Sequence, residues 1–213
     1  MTKFIATRAA ARVALIEKLQ ELWTARAQGT LSGEKSMRPL LFALDGMAAS
    51  GKSTLAGQLA ATLSSPLIHM DDFYLPAANR KQGVQLAEGS NIDFSRFRKE
   101  VLLPLEKGQA FCFQRFDCRL QTLAEERSIP ESDLYIIEGS YALHPQLVDH
   151  WDLTAFAVVS PELQWARLQR RCAGDPEWLN DFQECWLPME RAYEKAFSLR
   201  EKADYLLDLT LPV

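Results

Sequence analysis

The sequence has few cysteines and no C-x-x-C pair. Four occur among its 213 residues, at Cys112, Cys118, Cys172 and Cys185. A chain of this length can bury a core large enough to fold without disulfides. We therefore interpret the cysteines as reduced thiols, which predicts a cytoplasmic protein.

The sequence also lacks a basic excess and any apolar run long enough to span a membrane. Its 24 lysines and arginines are outnumbered by 28 acidic residues, which gives a formal net charge of −4. A surface that binds duplex nucleic acid needs a basic excess, and a membrane helix needs about 20 apolar residues in succession. The sequence therefore predicts neither a nucleic-acid nor a membrane partner, and it leaves the oligomeric state open.

No internal repeat or low-complexity tract breaks up the chain. Hydrophobic residues make up 47% and charged residues 24%, which is ordinary for a globular protein. Residues 7–27 carry apolar side chains at three- to four-residue spacing and predict an amphipathic helix, and a polar linker follows at 32–39. We therefore expect an N-terminal helical extension with its linker at 1–38 and one larger domain at 39–213. The Arg- and Ala-rich residues 1–14 faintly resemble an organellar transit peptide, but their pattern continues smoothly into the helix.

The most informative stretch is an apolar run that ends at Asp45 and is followed by a phosphate-binding loop pattern. Residues 46–53 fit G-x-x-x-x-G-K-[ST], and a helix pattern follows. The two glycines allow backbone N–H groups to turn towards an anion, Lys52 reaches the outer phosphates, and the Ser53 hydroxyl can hold Mg²⁺. The alternative is a Gly-rich turn that binds nothing. The predicted nucleotide-binding residues are Gly46, Met47, Ala48, Ala49, Ser50, Gly51, Lys52, Ser53 and Thr54.

Strand and helix patterns alternate along the rest of the chain. Apolar runs predict strands at 66–70, 111–116, 134–137, 153–159 and 203–209, and longer patterns predict helices at 55–63, 161–171 and 181–199. The run at 111–116 looks like an edge strand. Alternation of this kind implies right-handed crossovers and a mainly parallel sheet. We therefore predict a three-layer α/β fold of the P-loop NTPase type, with helices on both sides of a central sheet.

Carboxylates stand at the carboxyl ends of two predicted strands, where ligands of an open parallel sheet bind. Asp71 and Asp72 directly follow one strand, and Glu138 ends another. A carboxylate beside a γ-phosphate is suited to holding the metal or to accepting a proton from an attacking hydroxyl. Glu138 is the candidate on the metal side, and the alternative for the two aspartates is a helix or turn cap. We interpret His69 as a buried strand residue rather than a ligand.

Polar and charged segments surround these strand ends. Residues 75–90 predict an exposed loop suited to cover an acceptor. The helix at 161–171 carries Arg167 and Arg171 towards its end, where they either complement the helix dipole or close on a triphosphate as a lid. Asp93 opens a further helix pattern and is either its N-cap or a binding residue.

The combination of these motifs resembles the uridine kinase and phosphoribulokinase group of P-loop kinases, and nicotinamide riboside kinases look similar as well. The resemblance spans residues 40–209. Its elements, in that group's order, are the phosphate loop, Asp71-Asp72-Phe73-Tyr74, Asn91-Ile92-Asp93, Phe116-Asp117, Glu138-Gly139 and the arginines of 167–171. Phe94-Ser95 stands where uridine kinases have a His-Pro pair, so the chain resembles a divergent, uridine kinase-like branch.

The resemblance implies an ATP- and Mg²⁺-dependent kinase that phosphorylates a primary hydroxyl of a nucleoside or nucleoside-like small molecule. Ser53, Asp71 and Glu138 would hold Mg²⁺, and Asp71 would also act as the general base. The catalytic residues would be Lys52, Asp71, Arg167 and Arg171. The acceptor-binding residues would be Asp71, Tyr74, Asp93, Phe116 and Asp117.

Other functions stay open at this point. A nicotinamide riboside or pantothenate-type metabolite kinase would use the same loop and carboxylates. A GTPase-type switch is disfavoured because the sequence contains neither N-K-x-D nor D-x-x-G. A nucleotide-binding module without catalysis is disfavoured because Lys52, Ser53, Asp71 and Glu138 all occur together.

Overall fold

A computed structural model describes residues 2–29, 38–76 and 91–211 of the chain. Its centre is a six-stranded sheet in the order β1-β8-β7-β2-β6-β3, in which every pairing is parallel. The strands are β1 (Lys3–Thr7), β2 (Leu40–Gly46), β3 (Leu67–His69), β4 (Phe111–Asp117), β5 (Thr122–Ile129), β6 (Leu134–Glu138), β7 (Leu153–Val158) and β8 (Tyr205–Leu211). The predicted parallel α/β sheet is confirmed.

Helices cover both faces of the sheet. They are α1 (Arg8–Ala27), α2 (Lys52–Leu63), α3 (Phe94–Phe97), α4 (Leu103–Glu106), α5 (Pro161–Arg171), α6 (Pro176–Asp181), α7 (Leu187–Phe197) and α8 (Leu199–Lys202). On one face Leu15 of α1 and Leu55 of α2 pack with the buried Phe42 of β2. On the other face Phe97 and Tyr193 pack with Ala43. Because β2 is buried along its whole length by these two layers, its sequence is a continuous apolar run.

The N-terminal segment adds one more strand than the sequence predicts. The helix begins at Arg8 because the Thr7 hydroxyl accepts a hydrogen bond from the Ala10 amide, which caps the first turn. Before it, β1 pairs in parallel with β8. Residues 2–29 therefore add a strand to the central sheet and a helix that packs on that sheet. The domain boundary at residues 38 and 39 stays a prediction. Most of the predicted linker lies outside the described residues.

The predicted edge strand at 111–116 belongs to a different sheet. In the structure β4 pairs antiparallel with β5 in a separate two-stranded sheet, which we call the hairpin. The hairpin is attached through Phe113, whose ring lies 4.9 Å from that of Phe73. The strand β5 escaped prediction because most of its residues are polar and exposed, so it has no buried stripe that would show as alternation.

The helix predicted at 181–199 is interrupted. A π-helical turn at Phe182–Trp186 separates α6 from α7, and Ser198, with a φ of 53°, ends α7. Pro188 explains the turn, because it has no N–H to donate to the carbonyl four residues earlier. The same relation holds for the π-helical turn at Arg98–Leu102 and Pro104.

A buried carboxylate ties α1 to the start of the sheet. Asp152 accepts hydrogen bonds from the guanidinium groups of Arg26 at 3.2 Å and of Arg38 at 3.1 Å. It also accepts one from the Leu41 amide at 2.8 Å. This edge of the sheet is the one opposite the phosphate-binding loop. No helix among the described residues is long and apolar enough to cross a membrane.

Candidate active site

The phosphate-binding loop connects β2 to α2 and requires both of its glycines. A Cβ at Gly46 would lie 2.4 Å from the Ala157 carbonyl oxygen, so only a residue without a side chain fits against β7. Gly51 has a φ of 100°, in the left-handed region. Lys52 is buried and its Nζ lies 3.5 Å from the Met47 carbonyl, which points the ammonium along the inside of the loop.

Asp45 fixes the entry to this loop. One carboxylate oxygen accepts the amides of Gly46 at 2.6 Å and Tyr141 at 3.2 Å. The other accepts the Leu143 amide at 2.9 Å and the Tyr193 hydroxyl at 2.8 Å. Burial raises the pKa of Asp45 to about 6, although these hydrogen bonds oppose the rise. The carboxylate thus joins the loop to the β6–β7 connection and to α7, a role that the sequence analysis missed.

The predicted metal-side residues lie together at the ends of β3 and β6. The Ser53 hydroxyl lies 3.1 Å from Glu138 Oε2, and His69 Nδ1 lies 2.5 Å from Glu138 Oε1. Burial alone would raise the pKa of Glu138, but the hydrogen bonds from His69 and Ser53 and the charge of Lys52 outweigh it and the pKa is lowered. The hydrogen bond with Glu138 raises the pKa of His69. His69 lies in β3 as predicted, but it is half-buried rather than buried, and it orients Glu138, a role that the sequence analysis did not predict.

Asp71 and Asp72 point to different places. Asp71 lies open to a cavity beside Lys52, yet crowding by the surrounding protein desolvates its carboxylate and raises its pKa, while Lys52 opposes the rise. Asp72 is buried and accepts a hydrogen bond from Arg115 Nε at 3.0 Å, with Arg127 of the same hairpin at 3.9 Å. Asp71 is thus available to a ligand, whereas Asp72 holds the hairpin against the 3₁₀ turn at Met70–Phe73 that carries both aspartates.

Gly139 allows these two strand ends to meet. Its φ is 138°, and a Cβ there would lie 2.8 Å from the Cβ of Met70. Any side chain would therefore push the turn after β3 away from the end of β6. Glu138 and Asp71 depend on this close approach for their common position. The described residues contain no group of three or more histidine, cysteine or acidic side chains placed to hold a metal ion.

A cavity of about 250 Å³ opens between the phosphate loop, the hairpin turn and helices α5 to α7. Its lining includes the polar side chains of Lys52, Asp71, Ser140 and Glu190 and the aromatic side chains of Tyr74, Trp178, Phe182 and Trp186. Arg171, Cys118, Gln121, Asp181 and Ala48 complete the lining. The cavity combines a phosphate-binding residue, a carboxylate and stacking surfaces, which suits a small polar molecule that carries a planar group.

The predicted acceptor-binding residues are only partly at this cavity. Asp71 and Tyr74 line it, but Asp93, Phe116 and Asp117 do not. Asp93 caps α3 through the Arg96 amide at 2.9 Å. Phe116 is buried at the end of β4, and Asp117 accepts amides of the hairpin turn that follows it. The contact of these three with an acceptor stays a prediction. The hairpin instead contributes the turn residues Cys118 and Gln121, next to the predicted segment.

The two predicted lid arginines differ in position. Arg171 lines the cavity, with its guanidinium 5.5 Å from the centre of the Trp178 ring. Arg167 does not line the cavity, and its Nη1 donates to the loop carbonyls of Ala49 at 3.0 Å and Ser50 at 2.8 Å. Arg167 therefore supports the loop from outside the cavity.

Glu190 is a functional candidate that the sequence analysis missed. Its carboxylate is buried, accepts the Ala48 amide of the phosphate loop at 2.7 Å, and accepts the Ser140 hydroxyl at 2.8 Å. Burial raises its pKa, and the charge of Lys52 opposes the rise. The available sequence signal for Glu190 was its place on the same helix face as core residues such as Leu187 and Tyr193, where an acidic residue is unusual. The carboxylate uses a loop amide that a phosphate oxygen could also use.

Comparison with known proteins supports the fold. No protein-family model and no curated protein matches this chain. A proposed fructose transport system kinase from Silicibacter sp. TM1040 superposes with a TM-score of 0.68 and 27% identity over 92% of this chain and 98% of that one. A possible uridine kinase from Bacillus stearothermophilus superposes with a TM-score of 0.62 and 19% identity over 92% of this chain and 100% of that one. D-glycerate 3-kinase from Cryptococcus neoformans superposes with a TM-score of 0.57 and 12% identity over 92% of this chain and 96% of that one.

The parallel sheet, the glycine loop and these neighbours define a protein with the P-loop kinase fold. The neighbours with that fold include a possible uridine kinase and a proposed fructose transport system kinase. Identities of 12% to 27% leave the acceptor to be argued from the site itself.

Proposed function

We propose that this chain is an ATP- and Mg²⁺-dependent small-molecule kinase that transfers the γ-phosphate to a primary hydroxyl of a nucleoside or nucleoside-like metabolite. The observation that carries the proposal is one cavity that Lys52 and Asp71 line together with four aromatic side chains. The donor phosphates would occupy the loop, and the acceptor would occupy the cavity.

Asp71 is the group suited to remove the acceptor's proton. Its carboxylate is exposed to the cavity and its raised pKa increases its affinity for a proton. As the acceptor oxygen bonds to the γ-phosphorus, the bond from that phosphorus to the β,γ-bridging oxygen breaks and ADP leaves. Lys52 and the loop amides hold the donor, and Arg171 is placed to neutralise charge on the transferring group.

The residues present fit Mg²⁺. Ser53 and Glu138 offer a hydroxyl and a carboxylate oxygen 3.1 Å apart, which are the hard oxygen donors that Mg²⁺ takes together with phosphates. Bound there, the ion would neutralise charge on the donor phosphates. His69 would keep the Glu138 carboxylate turned to that position through its 2.5 Å contact.

The aromatic walls support the acceptor class. The rings of Tyr74 and Trp186 lie 6.0 Å apart, and those of Trp178 and Phe182 lie 5.7 Å apart, and all four line the cavity. Such surfaces suit a planar ring. Gln121, whose side-chain amide donates to the Cys118 carbonyl, also lines the cavity. A nicotinamide riboside-like acceptor would use the same surfaces.

The test is ADP release with ATP and Mg²⁺ over a panel of uridine, cytidine, purine nucleosides, nicotinamide riboside and pantothenate. We expect release that depends on one acceptor class and falls by about 10²- to 10⁴-fold in Asp71→Asn. Asp149→Asn is the matched control, because that carboxylate is exposed just before β7, at the opposite edge of the sheet. ATP binding without acceptor-dependent release by any compound would favour a module without catalysis, and normal turnover by Asp71→Asn would refute the assignment of the base.

A further inference from the structure

The N-terminal helix places a guanidinium against the phosphate-binding loop. A Cβ at Gly51 would lie 2.6 Å from Arg8 Nη2 and 3.6 Å from Arg167 Nη1. Gly51 directly precedes Lys52 in the loop. Two guanidinium groups therefore flank the loop at the residue just before α2, one from α5 and one from the first residue of α1.

Packing fixes the position of Arg8. Ala11 and Leu15 follow it at three- and four-residue spacing, so the three side chains share one face of α1. Both apolar side chains are fully buried in the cluster that also contains Leu55 of α2. The Thr7 cap sets the start of the helix. Arg8 thus continues the buried face of α1 to the edge of the loop.

The two guanidinium groups use their donors differently. Arg167 donates to the carbonyls of Ala49, Ser50 and Leu209, which accounts for its position as part of the loop's support. Arg8 makes no hydrogen bond to any described residue, and its Nε is buried without a partner. Arg8 is therefore in contact with the loop but is not used to hold it.

The charge at Arg8 is also uncompensated. Over the described ranges 2–29, 38–76 and 91–211, no carboxylate lies within ion-pair distance of Arg8 or Arg167. Arg8 stands in the first turn of α1, which contains no acidic residue, so it faces the positive end of its own helix dipole. Burial lowers the pKa of Arg167, and the positive charge of Arg8 lowers it further. A cation is placed here at an electrostatic cost, in a chain with an acidic excess.

We propose that Arg8 is a phosphate-binding residue of the donor site, whose guanidinium contacts the polyphosphate of the nucleotide beside Gly51. This inference rests on the proposed function for the identity of the donor. A bound polyphosphate supplies the negative charge that the described residues lack there. The planar guanidinium can donate to two phosphate oxygens at once. The N-terminal segment is then part of the nucleotide site rather than an appendage to it.

The experiment measures binding by isothermal titration calorimetry with no acceptor present. The probes are ATP and inorganic tripolyphosphate, each with and without Mg²⁺. We expect Arg8→Ala to weaken both probes by about 10- to 100-fold, as for the loss of a hydrogen bond between charged groups. Arg8→Lys keeps the positive charge but cannot donate to two phosphate oxygens from a planar group, so its affinity for both probes should lie between those of Arg8→Ala and the natural chain. Arg12→Ala, which removes an equal charge one turn later on an exposed position, should change little.

Each outcome decides a separate point. Binding by Arg8→Ala within twofold of the natural chain, or tighter binding, would overturn the inference and leave the kinase proposal intact. A loss for ATP but not for tripolyphosphate would assign Arg8 to the nucleoside part and also overturn it. Loss of both probes in a protein that phosphorylates no acceptor would support Arg8 and refute the kinase. If the natural chain bound neither probe, both proposals would fail. Thermal unfolding of each variant checks that it is folded. If Arg8→Ala does not fold, the binding measured for Arg8→Lys decides the question instead.

Discussion

Two neighbouring tyrosines allow a sharp test of how Asp45 is held. Tyr193 donates its hydroxyl to Asp45 at 2.8 Å, whereas the buried hydroxyl of Tyr141 has no hydrogen-bond partner among the described residues. The two rings lie 4.8 Å apart and both are almost fully buried. Tyr193→Phe and Tyr141→Phe therefore remove the same atom from almost the same environment, one with a charged partner and one without.

The expected loss for Tyr193→Phe depends on pH. Because the pKa of Asp45 is about 6, the carboxylate is ionised at pH 7.5 and mostly protonated at pH 4.5. A hydrogen bond to a charged group contributes about 1.5 to 3 kcal/mol, and one between neutral groups about 0.5 to 1.5 kcal/mol. Tyr193→Phe should thus lower the free energy of unfolding by roughly 1 kcal/mol more at pH 7.5 than at pH 4.5.

The sign follows from linkage. The folded-state pKa of Asp45 lies above its ordinary 3.8, so stability falls as the pH rises from 3.8 to about 6 and the buried group ionises. The Tyr193 hydroxyl lowers that pKa, so its removal raises the pKa further and makes ionisation more costly. Comparing each variant with the natural chain at the same pH removes the contribution of all other carboxylates.

The assay is urea unfolding of the three proteins at both pH values. Tyr141→Phe should leave the free energy of unfolding unchanged or raise it slightly. The hydroxyl that it deletes loses its hydration on burial and gains no hydrogen bond to a described residue. Equal losses for Tyr193→Phe at the two pH values, or an equal loss for both variants, would refute this description of Asp45.

Two further predictions concern the cavity and the opposite edge of the sheet. Glu190→Gln removes a negative charge beside the Ala48 amide, so we expect calorimetry at pH 8 to show ATP binding several-fold tighter than in the natural chain. The gain should be smaller at lower pH, because Glu190 then becomes protonated in the natural chain. Weaker binding by Glu190→Gln would show instead that the carboxylate shapes the loop. Asp152→Asn leaves the half-buried Arg26 and Arg38 without their shared anion, and it should lower the free energy of unfolding by about 3 kcal/mol in urea titrations; a loss below 1 kcal/mol would mean that solvent replaces the pairing.

The parts of the site that follow from local sequence could be predicted. The loop from Gly46 to Thr54 has a pattern whose spacing is fixed by the geometry of a strand, a phosphate nest and a helix. Asp71 and Glu138 could be placed beside it because parallel strands end at the same edge of a sheet. These inferences needed only the order of elements along the chain.

The parts that depend on packing between distant segments could not be predicted. Glu190 reaches Ala48 only because α7 packs across the loop, and its sequence neighbours are typical of a core helix. Asp93 caps α3, which is one of the two roles that the sequence left open, and its contact with an acceptor stays a prediction. For Arg8, nothing in residues 7–27 indicates that the first turn lies against Gly51.

The pairing of β1 with β8 has a consequence for the synthesis of this chain. The first strand emerges from the ribosome early, but Lys3 pairs with Tyr205, close to the other end of the described chain. Among the described strands β1 has no other neighbour, so it must wait for roughly 200 further residues, or roughly 10 to 40 s at typical rates of elongation. During that interval the central strands, the glycine loop and α2 can already assemble, while Arg8 cannot yet be held in place from the sheet side. The pairing of β1 is then the last in the central sheet to form, and a nascent chain that stops short of Tyr205 cannot form it.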